Sequence, residues 1–428
     1  MINLMFLNIK KKFNSQKMLF VSIFWGSMAG VLSQGLNFIT NIFLARFLGI
    51  EYGTLILYSS TNSMLQGFSQ VGLNIFATII VSKNLHNNKD RLGKIIPNLY
   101  YIVITLAIII SSIFLLINFF QLGRLKLWET NSPTFLFFII LWFITSTLDI
   151  LQVSILLGIG AFKDIAKVSL IKGLFTIINV LFFAKLYGIQ GVLIAYAFSF
   201  SISLFFNFIF LRKNCKNHQL IIINKVNYSL IKYILKSSFP IFLATLVLIP
   251  SQWAINYIIY NKENGKLALT IFGIANQWMI LIQFFPLQIS KVILPLLSKQ
   301  KQNRIEFRST EKIGLIISIL ISLFLISVSV FFEANVIKMY HLNFSTAKWP
   351  YRIMLLAALF SSVNLFLGQS ILANGQVWLR TLVDVFISLS LFITFIIILN
   401  NSIMLATPIA YCVSFIIGSC LIVFLRKK

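Results

Sequence analysis

Five charged residues sit inside, or at the edge of, long apolar runs: Arg46, Asp149, Lys172, Lys291 and Asp384. Even on the lenient insertion scale a charge at the bilayer centre costs about 2.5–3.5 kcal/mol, so each needs a partner or a task. Asp149 is a candidate for a functional role, with a structural ion pair as the competing one. Lys291 and Arg46 are candidates for functional cations. The long side chain of Lys291 could instead snorkel to the headgroups. Lys172 and Asp384 lie close enough to the interface to read as structural or topogenic.

Amides form a second set. Gly30, Gln34, Asn37 and Asn41 are spaced four, three and four residues apart, which places them on one helical face. Asn62 and Gln66 continue a similar stripe with Ser59, Gln70 and Asn74, and Asn256 does so with Gln252 and Tyr260. Gln283 is accompanied by Asn276, Gln277 and Gln288, with Pro286 among them. Amides facing lipid would lack partners at a cost of several kcal/mol each, so these face protein or water. Interhelical hydrogen bonding, worth about 0.6 kcal/mol on average, accounts for any single one. Stripes in corresponding places of two halves fit a hydrated cavity better. An amide both donates and accepts, which suits sugar hydroxyls. Gln34, Asn37, Asn62, Gln66, Asn256 and Gln283 are therefore the candidate sugar contacts.

Other chemistry has little support. His86, His218 and His341 fall in loops, and Cys215, Cys412 and Cys420 offer neither a disulfide framework nor metal-ligand spacing. No Walker motif, HExxH or nucleophile elbow occurs. The expectation is a transporter without a catalytic or ATP-binding motif, not an enzyme, and with no cofactor.

The elements that must position these residues are membrane helices. The 428 residues are 58% apolar and 11% charged, with a mean hydropathy of +0.91. Soluble chains carry roughly 25% charged residues, so an ordinary soluble surface is excluded, and a nucleic-acid partner is not expected. About 20 apolar residues cross a bilayer as a helix. Twelve such runs lie near 19–45, 53–81, 95–120, 134–158, 168–186, 191–211, 238–260, 268–297, 313–333, 351–373, 382–399 and 403–425. With the N-terminus inside, 27 of the 36 basic residues fall in inside segments and 9 outside. That bias places both termini in the cytoplasm, and it explains most of the net charge of +26 as topogenic.

The halves resemble each other at an offset near 215. Ala195-Tyr196 and Ser199-Phe200 match Ala410-Tyr411 and Ser414-Phe415, Phe210-Leu211-Arg212-Lys213 matches Phe424-Leu425-Arg426-Lys427, and Gly160 falls opposite Gly375. Asn364 stands opposite Asp149. Six spans per half make the repeat parallel, with substrate expected between the halves. The expected organisation is an N-terminal lobe over 1–211, an inter-lobe linker over 212–237 and a C-terminal lobe over 238–428. The fold class is all-α polytopic membrane protein, with 12 transmembrane helices in two pseudo-symmetric six-helix lobes.

The segment Leu44-Ala45-Arg46-Phe47-Leu48-Gly49-Ile50-Glu51-Tyr52-Gly53, with the polar run before it and Gly67…Gly72-Leu73 after it, carries a resemblance. It resembles the polysaccharide-exporter branch of the MATE-like multidrug and oligosaccharide-lipid flippase superfamily, and within it the O-antigen repeat-unit translocases. The resemblance implies a V-shaped pair of lobes. It implies that a polyprenyl-diphosphate-linked oligosaccharide is flipped across a bacterial inner membrane, from cytoplasmic to periplasmic leaflet. It also implies a cationic cavity, a proton or sodium gradient, and other polysaccharide-assembly membrane proteins as partners. Arg46 and Lys291 match the idea of basic residues on the first and eighth spans, so the resemblance implies that one of them pairs with the diphosphate, a charge-assisted contact, and that Asp149, neutralised by a proton, couples to the gradient. A peptidoglycan-precursor flippase and a multidrug antiporter share the plan. A polysaccharide polymerase would need a larger outer loop.

Overall fold

A computed structural model of the chain describes residues 25–26, 28–119, 133–223, 225–299 and 304–427. Every regular element among them is helical. Helix α1 covers 28–48 and is followed by a 3-10 turn, Gly49–Glu51, and by α2, Tyr52–Gln70. Then come α3 (Leu73–Asn87), α4 (Lys89–Phe119), α5 (Pro133–Ile159), α6 (Phe162–Asn217), α7 (Tyr228–Tyr260), α8 (Gly265–Lys299) and α9 (Arg304–Phe331). A short α10 (Glu333–Met339) precedes α11 (Phe344–Ala373), α12 (Val377–Leu399) and α13 (Ile403–Lys427).

Among the described residues nine helices are long and apolar enough to cross a membrane, and up to ten if the bent pair Tyr228–Leu243 and Thr245–Tyr260 is one span. That bent pair makes up α7, which contains Pro240 and Pro250. Proline removes a helical donor and crowds the carbonyl four residues back, so a bend here has an identifiable cause.

Two stretches exceed one bilayer. Helix α6 has 56 residues, about 84 Å if straight. Gly188 interrupts it with φ 56° and ψ −134°, a conformation open to glycine and strained for other residues. Asn179 Nδ2 donates to Ser199 Oγ at 3.3 Å, although twenty helical residues would span about 30 Å. The chain therefore folds back at Gly188, between the two runs expected at 168–186 and 191–211. A similar argument applies to α1 and α2. Tyr52 donates to Asn41 Oδ1 at 3.4 Å, whereas eleven helical residues would span about 16 Å. The second expected span, 53–81, is itself broken, because Val71 and Gly72 both take left-handed conformations.

By compactness the chain forms two units. The first takes the described residues of Met1–Ile39, with Leu73–Asn179 and Ile194–Ile234. The second takes Thr40–Gly72, Val180–Leu193 and Leu235–Lys428. In the first, α3, α4 and α5 pack on one another. In the second, α8 packs against α2, α9, α11 and α13. The stretch expected as a linker is mostly helix: α6 runs to Asn217 and α7 starts at Tyr228, which leaves 218–227 as the connector.

The sequence Gly49-Ile50-Glu51-Tyr52-Gly53 has a clear packing role in the second unit. Glu51 pairs with Lys266 at 3.0 Å and accepts from Thr54 at 2.9 Å. Thr270 donates to the Ile50 carbonyl at 2.9 Å. Tyr52 is fully buried and accepts from Gln277. A Cβ on Gly53 would lie 2.1 Å from the Lys266 carbonyl oxygen. Gly53→Val is accordingly expected to force α2 off α8 and to destabilise by about 1–3 kcal/mol. Thermal unfolding in detergent tests this, and an unshifted midpoint would contradict the clasp.

Short α10, which starts beyond the span Ile305–Phe331, is tied to α11 by a two-pronged pair. Arg352 Nε and Nη2 each donate to Glu333 at 2.7 Å. These hydrogen bonds hold the Glu333 carboxyl below its ordinary 4.5, against the opposing effect of desolvation. A carboxyl with a lowered value contributes stability above its unfolded pKa and loses it as pH falls through the folded one. The stability difference between the native chain and Glu333→Gln should be full at neutral pH and shrink only in acid, below about pH 4.5. A difference that stayed constant into acid would contradict this origin.

Candidate functional site

In the first unit the polar centre is built on Asp149. Helix α5 presents it, and both limbs of α6 surround it. Lys172 Nζ, on the first limb, lies 2.9 Å from Asp149 Oδ2. Ser203 Oγ and Asn207 Nδ2, on the second limb, donate to Oδ1 at 2.6 and 2.7 Å. Lys172 Nζ also sits 3.5 Å from the Phe200 ring centroid, a favourable place for a cation. Asp149 is 4% exposed and thus buried, while the Lys172 side chain keeps 27% of its surface. Both carboxylate oxygens are engaged.

The corresponding place in the second unit is neutral. Asn364, on α11, donates through Nδ2 to the Phe415 carbonyl at 2.7 Å and to Ser419 Oγ at 2.9 Å, both on α13. Arg380, on α12, donates to the Asn364 carbonyl at 3.2 Å. Its guanidinium is held by Asp384 one turn along the same helix, at 2.6 and 3.0 Å. A polar centre thus joins three consecutive helical segments in each unit, with a carboxylate at the hub in the first and an amide in the second. Gly160 and Gly375, matched in sequence, both have positive φ, 84° and 78°. They close α5 and α11 in the left-handed form typical of helix ends.

The second unit also contains an aromatic and amide step on α2 and α7. Trp253 and Tyr257 stack with ring centroids 5.3 Å apart and planes 16° apart. Trp253 Nε1 donates to Thr61 Oγ1 at 3.0 Å. Asn62 follows Thr61 and is buried, its Oδ1 without a partner among the described residues. Asn256 is buried between the two aromatics in sequence. Two π-faces flanked by amides make a surface suited to a sugar ring, whose C–H face stacks while its hydroxyls bond.

The structure thus gathers Asn62 and Asn256 into one unit, with half-buried Gln66 one turn from Asn62. Gln283 is also in that unit but is engaged with Ser361 at 2.5 Å. Gln34, Asn37 and Arg46, on α1, are exposed. Lys291 lies within α8, and its side chain falls outside the described residues. Sequence reasoning passed over Ser203, Asn207, Trp253 and Tyr257. A signal existed, since each pair is spaced i, i+4 on an apolar helix and so shares a face.

Membrane-length helices with paired polar groups in their interiors are the build of a polytopic membrane protein, and solved structures share the fold over nearly all of the chain. It superimposes with a TM-score of 0.68 on the lipid II flippase MurJ in an inward closed conformation, at 19% identity over 94% of this chain and 87% of that one. It matches a MOP superfamily transporter from Pyrococcus furiosus with a TM-score of 0.68, at 12% identity over 95% of each chain. A MATE structure in the bent conformation gives 0.63 at 13% identity, over 95% and 96%. No curated protein sequence matches the chain. The profile of the polysaccharide biosynthesis protein family matches residues 19–301. The chain belongs to that family.

Lys172→Met leaves a buried carboxylate without its cation and is expected to cost about 3 kcal/mol. The double variant Asp149→Asn/Lys172→Met should recover most of that loss, as replacing both members of a buried pair often does. Thermal unfolding of the single and double variants reads the difference. Equal losses would show that the two groups are not coupled.

Proposed function

We propose that this protein flips a polyprenyl-diphosphate-linked oligosaccharide, of the O-antigen repeat-unit kind. The movement runs from the cytoplasmic to the periplasmic leaflet of a bacterial inner membrane, by alternating access. A proton or sodium gradient drives it, and the chain acts as a transporter rather than an enzyme. The observation that carries the reading is the Trp253–Tyr257 step with Asn62 and Asn256, found in a member of a polysaccharide biosynthesis family. Gln34, Asn37, Gln66 and Gln283 extend the hydroxyl-binding set, and Arg46 or Lys291 meets the diphosphate. Other polysaccharide-assembly membrane proteins are its partners.

The topology we propose has twelve crossings. The ten spans counted with the bent α7 become twelve when the 43-residue Met28–Gln70 and 56-residue Phe162–Asn217 stretches are each taken as folded back. The distribution of Lys and Arg then favours cytoplasmic termini. Lobes over 1–211 and 238–428, joined by 212–237, follow from this count. Asp149 is the coupling residue in this scheme, and Lys172 is the group that an arriving cation or proton releases.

A reconstituted flipping assay with a fluorescent polyprenyl-diphosphate oligosaccharide tests the reading. Trp253→Ala should slow transfer about fivefold if one aromatic contact worth about 1 kcal/mol is lost. Asp149→Asn should abolish dependence on the gradient. Equal transfer of a polyprenyl diphosphate bearing no sugar would defeat the glycan reading. Preference for lipid II would favour the second reading, a peptidoglycan-precursor flippase, which the likeness to MurJ suggests.

A further inference from the structure

A groove in the first unit lies apart from Asp149, at the end where α4 begins and α6 finishes. It encloses about 570 Å³, within the usual size range of ligand pockets. Its floor is apolar, with Tyr101, Ile104 and Phe208 contributing. These three also keep about 40% of their surface exposed (42%, 39% and 41%), so the floor is open to the outside of the unit. Two cations, Arg212 and Lys225, stand on its lining. Among the described residues neither has a carboxylate partner.

Both cations are placed by the fold. The Arg212 guanidinium stacks on Phe208, 4.4 Å from the ring centroid. That packing engages one face of the fork and leaves its donors free at the edge. Lys225 is on the connector, which is held against α4. Ile223 N donates to the Gly93 carbonyl at 3.1 Å. A Cβ on Gly93 would fall 1.9 Å from the Ile221 carbonyl oxygen, so only glycine admits the connector so closely. Buried Asn98 donates to the Lys225 carbonyl at 3.3 Å and accepts from Asn227 N at 3.0 Å. One amide therefore fixes the backbone on both sides of Val226.

We propose that this groove is a binding site for an anionic membrane phospholipid. Its phosphodiester meets Arg212 and Lys225, and an acyl chain lies along Ile104 and Phe208. Topogenic lysines need only be on the right side of the membrane. Here two cations converge on one apolar groove, and the connector is pinned to bring the second one in. The charge selects an anionic head, and the apolar floor selects a lipid over a soluble anion. The proposal requires only that the chain spans a membrane. It is independent of what the protein carries, so it can fail without touching the flippase reading.

The test is native mass spectrometry of the full chain purified in detergent, titrated with phosphatidylglycerol. Parallel titrations use phosphatidylcholine and inorganic phosphate. Arg212→Gln/Lys225→Gln should weaken phosphatidylglycerol retention about 30-fold, at about fivefold per cation near a membrane surface. Lys213→Gln/Lys216→Gln removes the same charge outside the groove and should leave retention unchanged. Ile104→Trp, which fills the floor, should also displace the lipid. Equal weakening by both charge pairs would reduce the site to diffuse attraction and overturn the proposal. So would equal retention of phosphatidylcholine, or displacement of the lipid by inorganic phosphate.

Discussion

A bilayer offers no hydrogen bonds, so every polar group carried into it must find its partner inside the protein. This constraint organises the chain more than hydrophobic burial does, because lipid tails are as apolar as the helices they surround. Its results are visible where helices meet. Asp149 joins α5 to both limbs of α6 through Lys172, Ser203 and Asn207. Asn364 joins α11 to α13, and Arg380 brings α12 to the same point. Tyr52 takes Gln277 on α8 and Asn41 on α1. In each case a small polar cluster specifies which helices are neighbours. A purely apolar interface would leave that choice to shape alone.

Close backbone approach is the second device. Gly53 lets the start of α2 rest on the Lys266 carbonyl, and the Glu51–Lys266 pair and the Thr270 hydroxyl fix the same contact. This gives a physical meaning to the segment that carried the family resemblance. Its glycine, acid and tyrosine make one helix junction. Arg46 does not belong to that junction, since it is exposed on α1. The motif therefore reports how this fold is assembled, and it says nothing by itself about cargo.

Much of the fold was legible in the sequence because span length is set by bilayer thickness and fold-backs need special residues. Gly188 falls in the gap expected between the fifth and sixth runs, and Gly160 and Gly375 share both register and positive φ. What hydropathy does not register is helix outside the hydrocarbon. Helix α7 begins ten residues before the expected span because Lys232 and Lys236 ride on its polar extension. Likewise α10 is too short and too polar to stand out. At the candidate site the stripes on α2 and α7 were visible as periodicity, but the partner of each polar residue was not. The pairing of Lys172 with Asp149 joins residues 23 apart across a helix boundary. Periodicity orders residues on one helix and contains no distance between two, so Lys172 reads as structural or topogenic with no partner named.

The two polar centres differ in what their ion pairs hold together. In the second unit the ion pair closes within α12, because Arg380 and Asp384 are one turn apart. Discharging Asp384 would free a guanidinium but would leave the Asn364 contacts to Phe415 and Ser419 intact. In the first unit the pair bridges α5 and the first limb of α6, and the other carboxylate oxygen holds the second limb. Neutralising Asp149 therefore weakens the attraction among three helical segments at once. A charge change alters helix packing only where the charge is what holds the helices together. By that criterion charge joins separate helical segments in the first unit, whereas in the second the ion pair closes within one helix.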